Sequence, residues 1–152
     1  MSKNLIIILI IIILVPLVVF LFSKKNPTTK FPSTNLKLNN TEYNIEIART
    51  ISQKSAGLST RDKLCSNCGM IFIFNKDGTL PFWMKDTFIP LDMIWINSNG
   101  QITDIITATD TNSSKILQNT QPAKYVLELN AYDSQKLSLK VGDIIDLSKL
   151  ND

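Results

Sequence analysis

"LPFWMKDTFIPLDMIWINSNGQITDIITA", Leu80 to Ala108, is the stretch on which the fold turns. Asn99-Gly100 divides "DMIWIN" from "QITDIITA", and Asn-Gly is the pair that two-residue hairpin turns favour, because both central residues need positive φ. Upstream, "TLPFWMK" reads as another strand, with Pro81 near its start where a missing donor is tolerable. Strand side chains alternate faces. Trp83 and Lys85 therefore share a face, as do Asp92, Ile94 and Ile96. Asp92 is thus aligned with β-branched residues that belong in a core, and a lone buried carboxylate is costly unless paired or hydrogen-bonded. Two readings meet that need. In one, Lys85 or Arg61 neutralises Asp92 beside the Trp83 indole at the mouth of a pocket. In the other, Asp92 caps the turn after Pro90.

Working outward, β signals continue. "TEYNIEIA" alternates Tyr43, Ile45 and Ile47 with polar residues. "MIFIF", Met70 to Phe74, is a second apolar run, and Asp77-Gly78 after it predicts a hairpin onto "TLPFWMK". "KYVLEL" and "DIIDL" are further short strands. Only Arg49 to Leu64 looks helical, with Gly57 placed either to end a short helix or to divide two turns. The expected fold class is mostly β (α+β), a small sandwich-like or barrel-like domain with one short helical segment.

At the N-terminus, Leu5 to Phe22 is an unbroken apolar run of a length that spans a membrane as a helix. Nothing resembling a signal-peptidase site follows it, so an uncleaved transmembrane anchor is expected. The division is 1–4 a short head, 5–22 the anchor, 23–35 a polar linker and 36–152 the β domain. Lysines stand on both sides of the apolar run and argue in opposite directions on orientation. The short head and long C-terminal domain favour a single-pass membrane protein with the domain extracytoplasmic.

Charge follows the same division. The formal net charge is +3, but Lys3, Lys24, Lys25 and Lys30 fall in the first thirty residues, which hold no acid. That leaves twelve basic residues against thirteen acidic ones elsewhere, a net −1. No basic stripe of the kind nucleic acid requires is present.

Several chemistries are poorly served. The chain has no His and two Cys. Cys65 and Cys68, in "CSNC", are half of a zinc set at most, so a disulfide is the expected state in an exported domain. Nucleophilic catalysis through a His base is absent. No P-loop or dinucleotide fingerprint appears, and no cofactor is expected. A carboxylate pair drawn from Asp86, Asp92 and Glu128 would suit a hydrolase with Asp92 or Glu128 as acid or base.

"GLSTR" (Gly57 to Arg61), "GMIFIF" (Gly69 to Phe74), "FWMKDTFIPLDMIWI" (Phe82 to Ile96), "YVLEL" (Tyr125 to Leu129) and "VGDII" (Val141 to Ile145) occur in this order. Together they resemble family 192 of the domains of unknown function, also catalogued as uncharacterised protein family 0127, over roughly Tyr43 to Leu147. The resemblance implies a small, mostly β fold and an exported location, and no activity. The motif positions it implies are Gly57, Leu58, Arg61, Gly69, Met70, Phe74, Trp83, Met84, Lys85, Thr87, Pro90, Leu91, Asp92 and Glu128. Ser59-Thr60 replaces a Met and a large apolar residue usual in the family, Asp86 a usual Asn, and Tyr132 falls near a usual Gly. The leading expectation is a domain that binds a small polar ligand, such as a glycan, through Arg61, Trp83, Lys85, Asp92 and Glu128. The alternatives are the hydrolase and a non-catalytic partner-binding domain of the cell envelope.

Overall fold

The computed structural model describes residues 30–150. The expected head and anchor, and most of the expected linker, lie outside them. Among the described residues no helix is long and apolar enough to cross a membrane.

Six strands form one sheet: β1 (Ser33–Leu38), β2 (Thr41–Ala48), β3 (Cys68–Gly78), β4 (Leu91–Ile96), β5 (Ile102–Ile106) and β6 (Ala123–Asn130). Two short helices, α1 (Ile51–Ala56) and α2 (Asp133–Lys136), and a 3₁₀ turn at Ser148–Leu150 complete the fold. The strand order is β1-β2-β3-β6-β4-β5. Only β2 and β3 run parallel, and α1 lies in the crossover between them. The sequence expected a sandwich or barrel. The strands instead lie in a single sheet in which β1 and β5 are edges and do not pair with each other. The sheet also begins at Ser33, three residues inside the expected linker.

Both faces of the sheet are covered, which explains how so small a domain buries the whole of β4. On one face, Tyr43, Ile45, Ile71, Ile94, Ile96 and Leu127 pack beneath Leu137, Ile145 and Leu150 of the C-terminal segment. On the other, Ala48, Met70, Phe72, Met93, Trp95 and Val126 pack beneath Leu58, Leu80, Met84 and Ile89. The β4–β5 hairpin forms at Asn99-Gly100, but as a longer loop closed between Asn97 and Gln101, in which only Gly100 of the pair takes positive φ. Gly100 takes φ +79°, and the side-chain oxygen of Asn97 accepts from the amides of Asn99 and Gln101.

The Asp77-Gly78 hairpin does not form. Neither residue adopts positive φ, so β3 continues through Gly78 and Asp77 accepts from the Ser98 amide at the neighbouring hairpin. The place beside β3 goes to β6. The Leu80–Pro90 segment, interrupted by Pro81 and Pro90, leaves the sheet and lies across its Met70 and Trp95 face. A two-way backbone pairing of Phe82 with Leu117 holds it there, at 2.7 and 2.8 Å. "DIIDL" is likewise no strand; a single bridge joins Gln101 to Ile144.

Candidate functional site

Ladder rows set which side chains meet. Glu46 of β2 pairs with Met70 of β3, Met70 with Glu128 of β6, and Glu128 with Met93 of β4. These four form one row across one face. The adjacent row runs Ile45, Gly69, Leu129 and Asp92 across the opposite face.

Above Glu128 lies a cavity of about 500 Å³. Phe72 and Phe74 of β3, Phe82 and Trp83 of the covering segment, and Ile51 of α1 give it apolar walls; Thr87 and Ser59 contribute hydroxyls, and Lys54 and Lys85 stand among the lining. Phe82 is the hub. Its ring meets Phe72 edge-on at 4.9 Å between centroids, with Phe74 at 6.3 Å and Trp95 at 6.4 Å. The α1 helix is placed by a capping box at Thr50 and Gln53 and ends at Gly57. A Cβ on Gly57 would come within 3.3 Å of the Phe72 ring. The Lys54 ammonium donates to the Ile73 carbonyl and stands 4.5 Å above the Phe74 ring.

Glu128 is the chemical centre of this cavity. It is 5% exposed, lines the cavity, and among the described residues its carboxyl has no hydrogen-bond partner. Burial pushes its pKa up to about 8, with Arg61 offsetting part of the rise. At neutral pH the group is therefore largely uncharged.

The other expected site residues divide sharply. Trp83, 57% exposed, and Lys85, exposed, both line the cavity with Glu128. Arg61 does not join them. Its guanidinium grips both oxygens of Glu46 at 2.7 and 2.8 Å, and lies 5.6 Å from the Phe31 ring. Asp92 is fully buried on the other face, and neither Lys85 nor Arg61 reaches it. Its two oxygens accept from the amides of Ala108, Tyr132 and Ser134 at 2.8–2.9 Å and from the Ser134 hydroxyl at 2.5 Å. The expected meeting of Lys85 and Asp92 fails because Leu80–Pro90 is a covering segment and not a strand beside β4. The turn after Pro90 is not what Asp92 caps either. It ties the start of β4 to the segment after β5 and to the first turn of α2.

The hydrolase pair fails for a related reason. Asp92 and Glu128 belong to adjacent rows that face opposite ways, and Asp86 is exposed in a turn at φ 56°. That left-handed backbone accounts for Asn or Asp at the position. Cys65 and Cys68 are joined as a disulfide with Cα atoms 5.3 Å apart, at the start of β3. Among the described residues no group of three or more His, Cys, Asp or Glu side chains could hold a metal.

The sequence reading missed Phe72, Phe82 and Lys54 as wall residues. The signal for Phe72 and Phe74 was present: at spacing two along β3, they share the face of Met70.

A family profile described as DUF192, an uncharacterised group, matches residues 34–147. The chain belongs to this family. A solved structure from Sinorhizobium meliloti 1021, named as a candidate transcription regulator, is 31% identical with a TM-score of 0.73; the match covers 78% of this chain and 95% of that one. A protein of unknown function from Novosphingobium aromaticivorans DSM 12444 is 27% identical with a TM-score of 0.71, covering 80% of this chain and 89% of that one. The curated proteins contain no match.

Proposed function

We propose that this DUF192 domain is a small-molecule binding module, carried outside the cytoplasm on an N-terminal membrane anchor. The observation that supports it is the buried Glu128 carboxyl, unpartnered among the described residues, on an aromatic-walled cavity of about 500 Å³. Cavities of that size with apolar walls and few polar groups are where small ligands bind. The residue is buried but its carboxyl opens onto the cavity, where a ligand can hydrogen-bond to it. The ligand is amphipathic. Of the residues in the glycan expectation, Trp83, Lys85 and Glu128 line the cavity, while Arg61 and Asp92 are spent elsewhere. The regulator name of the Sinorhizobium relative gains no support from the charge of this chain, which is net −1 beyond residue 30.

The test is a small-molecule library screened by thermal shift on the full chain in non-ionic detergent. Hits are expected to lose their effect in Trp83→Phe and Lys85→Met, both of which melt as the parent does. A library without a single cavity-dependent hit sinks the reading. Protease added to intact cells stripped of any outer barrier checks the location; a domain that stays protected contradicts it.

A further inference from the structure

We propose that the cavity takes an amphipathic amine, with its ammonium group on Glu128 and its apolar body against Phe72, Phe82 and Trp83. This rests on the binding-module reading and names its ligand class.

Three observations favour an amine over other donors. First, Glu128 offers two acceptor oxygens and among the described residues receives no donor. An ammonium supplies both hydrogen bonds and the opposite charge, so it stabilises the ionised carboxyl that burial disfavours. Second, the surrounding rings are suited to a cation, whose attraction to an aromatic face grows when water is excluded. The cavity already holds one such contact: the Lys54 ammonium 4.5 Å above Phe74. Third, the cations near Glu128 are committed or remote. Arg61 is held by Glu46 through two hydrogen bonds. Lys54 is bonded to the Ile73 carbonyl. Lys85 is solvent-exposed, where screening weakens its repulsion of an incoming ammonium.

Protonation gives the signature. Below pH 8 the empty site holds a proton on Glu128, and an arriving ammonium displaces it to solvent. Amine affinity therefore rises with pH up to about 8 and levels off there. The other charged groups around the cavity are Lys54, Lys85 and the Arg61–Glu46 pair; Glu128 is the one that burial moves into this range. A ligand that accepts a hydrogen bond from protonated Glu128 shows the opposite slope.

The experiment compares 2-phenylethylamine, 2-phenylethanol and 3-phenylpropanoate, titrated by tryptophan fluorescence into the full chain in non-ionic detergent at pH 6 and 8. The amine is expected to bind at least tenfold more tightly than the alcohol at pH 8, with the advantage reduced at pH 6. Glu128→Gln is expected to abolish both the preference and its pH dependence. Melting at pH 5, where Glu128 is neutral in the parent, checks that this variant folds. Equal or tighter binding of alcohol or acid overturns the inference and leaves the binding-module reading standing. A preference that survives Glu128→Gln also overturns it, as does a lack of saturable amine binding. The broader reading falls only if the library finds no cavity-dependent ligand either.

Discussion

Asp92 and Glu128 stand in adjacent rows of the β4–β6 ladder and point to opposite faces of one sheet. Two carboxyl groups that look alike in the sequence thereby acquire different chemistry. Asp92 is saturated by four donors. Glu128 faces a cavity, and among the described residues no donor bonds to its carboxyl.

Asp92 is a structural clamp, and its loss unfolds rather than disarms. Asp92→Ala strands the amides of Ala108, Tyr132 and Ser134 and the Ser134 hydroxyl, and is expected to cost roughly 3–5 kcal/mol in urea unfolding. Asp92→Asn keeps one acceptor oxygen and is expected to lose less, about 1–3 kcal/mol. If Asp92→Asn melts normally yet abolishes binding of a cavity ligand, the clamp assignment is wrong.

Glu128 makes stability depend on pH. Its pKa rises from 4.5 unfolded to about 8 folded, so between these values the folded state holds a proton that the unfolded state has released. Stability is then fully present below the unfolded value and lost as pH rises through the folded one. Melting is expected to be lower at pH 9 than at pH 5, by a free energy of several kcal/mol, with Glu128→Gln flattening the difference. Tyr43, pushed up to about 12, does not titrate in this window. A parent and Glu128→Gln with parallel pH profiles would refute the assignment.

At Gly69 of β3 the neighbouring β2 and β6 leave no room for a side chain. A Cβ there would lie 2.6 Å from the Glu128 carbonyl oxygen and 2.9 Å from Ile45 Cδ1. The first neighbour is backbone and cannot swing aside. Gly69→Ala is expected to destabilise by about 3 kcal/mol, measured by chemical unfolding. A loss below about 0.5 kcal/mol would show that the strands can separate at little cost.

The disulfide closes a very small ring. In the loop-entropy picture such a ring contributes about 2 kcal/mol, so Cys65→Ser with Cys68→Ser is expected to fold with a modestly lowered melting temperature. Thiol alkylation of the unreduced parent with mass analysis checks the bond itself. Two labelled cysteines would contradict it.

What the sequence revealed tracks how local the cause was. The Tyr43, Ile45 and Ile47 alternation, the Asn99-Gly100 turn and the Gly57 helix end each depend on a few adjacent residues, and each is found. Asp92, Ile94 and Ile96 do share a face. What failed needed distant chain. The Asp77-Gly78 turn lost to β6, which begins at Ala123 and takes the place beside β3. The partners of Asp92 come from Ala108, Tyr132 and Ser134, none within fifteen residues. Tyr132 illustrates the difficulty. It sits at φ 68°, a conformation that glycine adopts freely and Tyr does not, and only its amide on Asp92 shows why the chain holds it there. Of the site, Trp83, Lys85 and Glu128 were legible as candidates, but their convergence followed from a covering segment that had read as a strand.

The strand order has a consequence for how the chain is made. β6 is inserted between β3 and β4, so during synthesis the first five strands exist as two disconnected ribbons, β1-β2-β3 and β4-β5. Each then carries a bare hydrogen-bonding edge lined with apolar side chains, the condition under which chains pair with the wrong neighbour. No strand pairing joins them until β6 has emerged, and the pairings it then makes with β3 span from 45 residues (Gly78 to Ala123) to 60 (Gly69 to Leu129). Assembly is therefore a late, single event with a large loop to close. Shielding of those two edges while the chain is incomplete is what the yield of native protein will depend on.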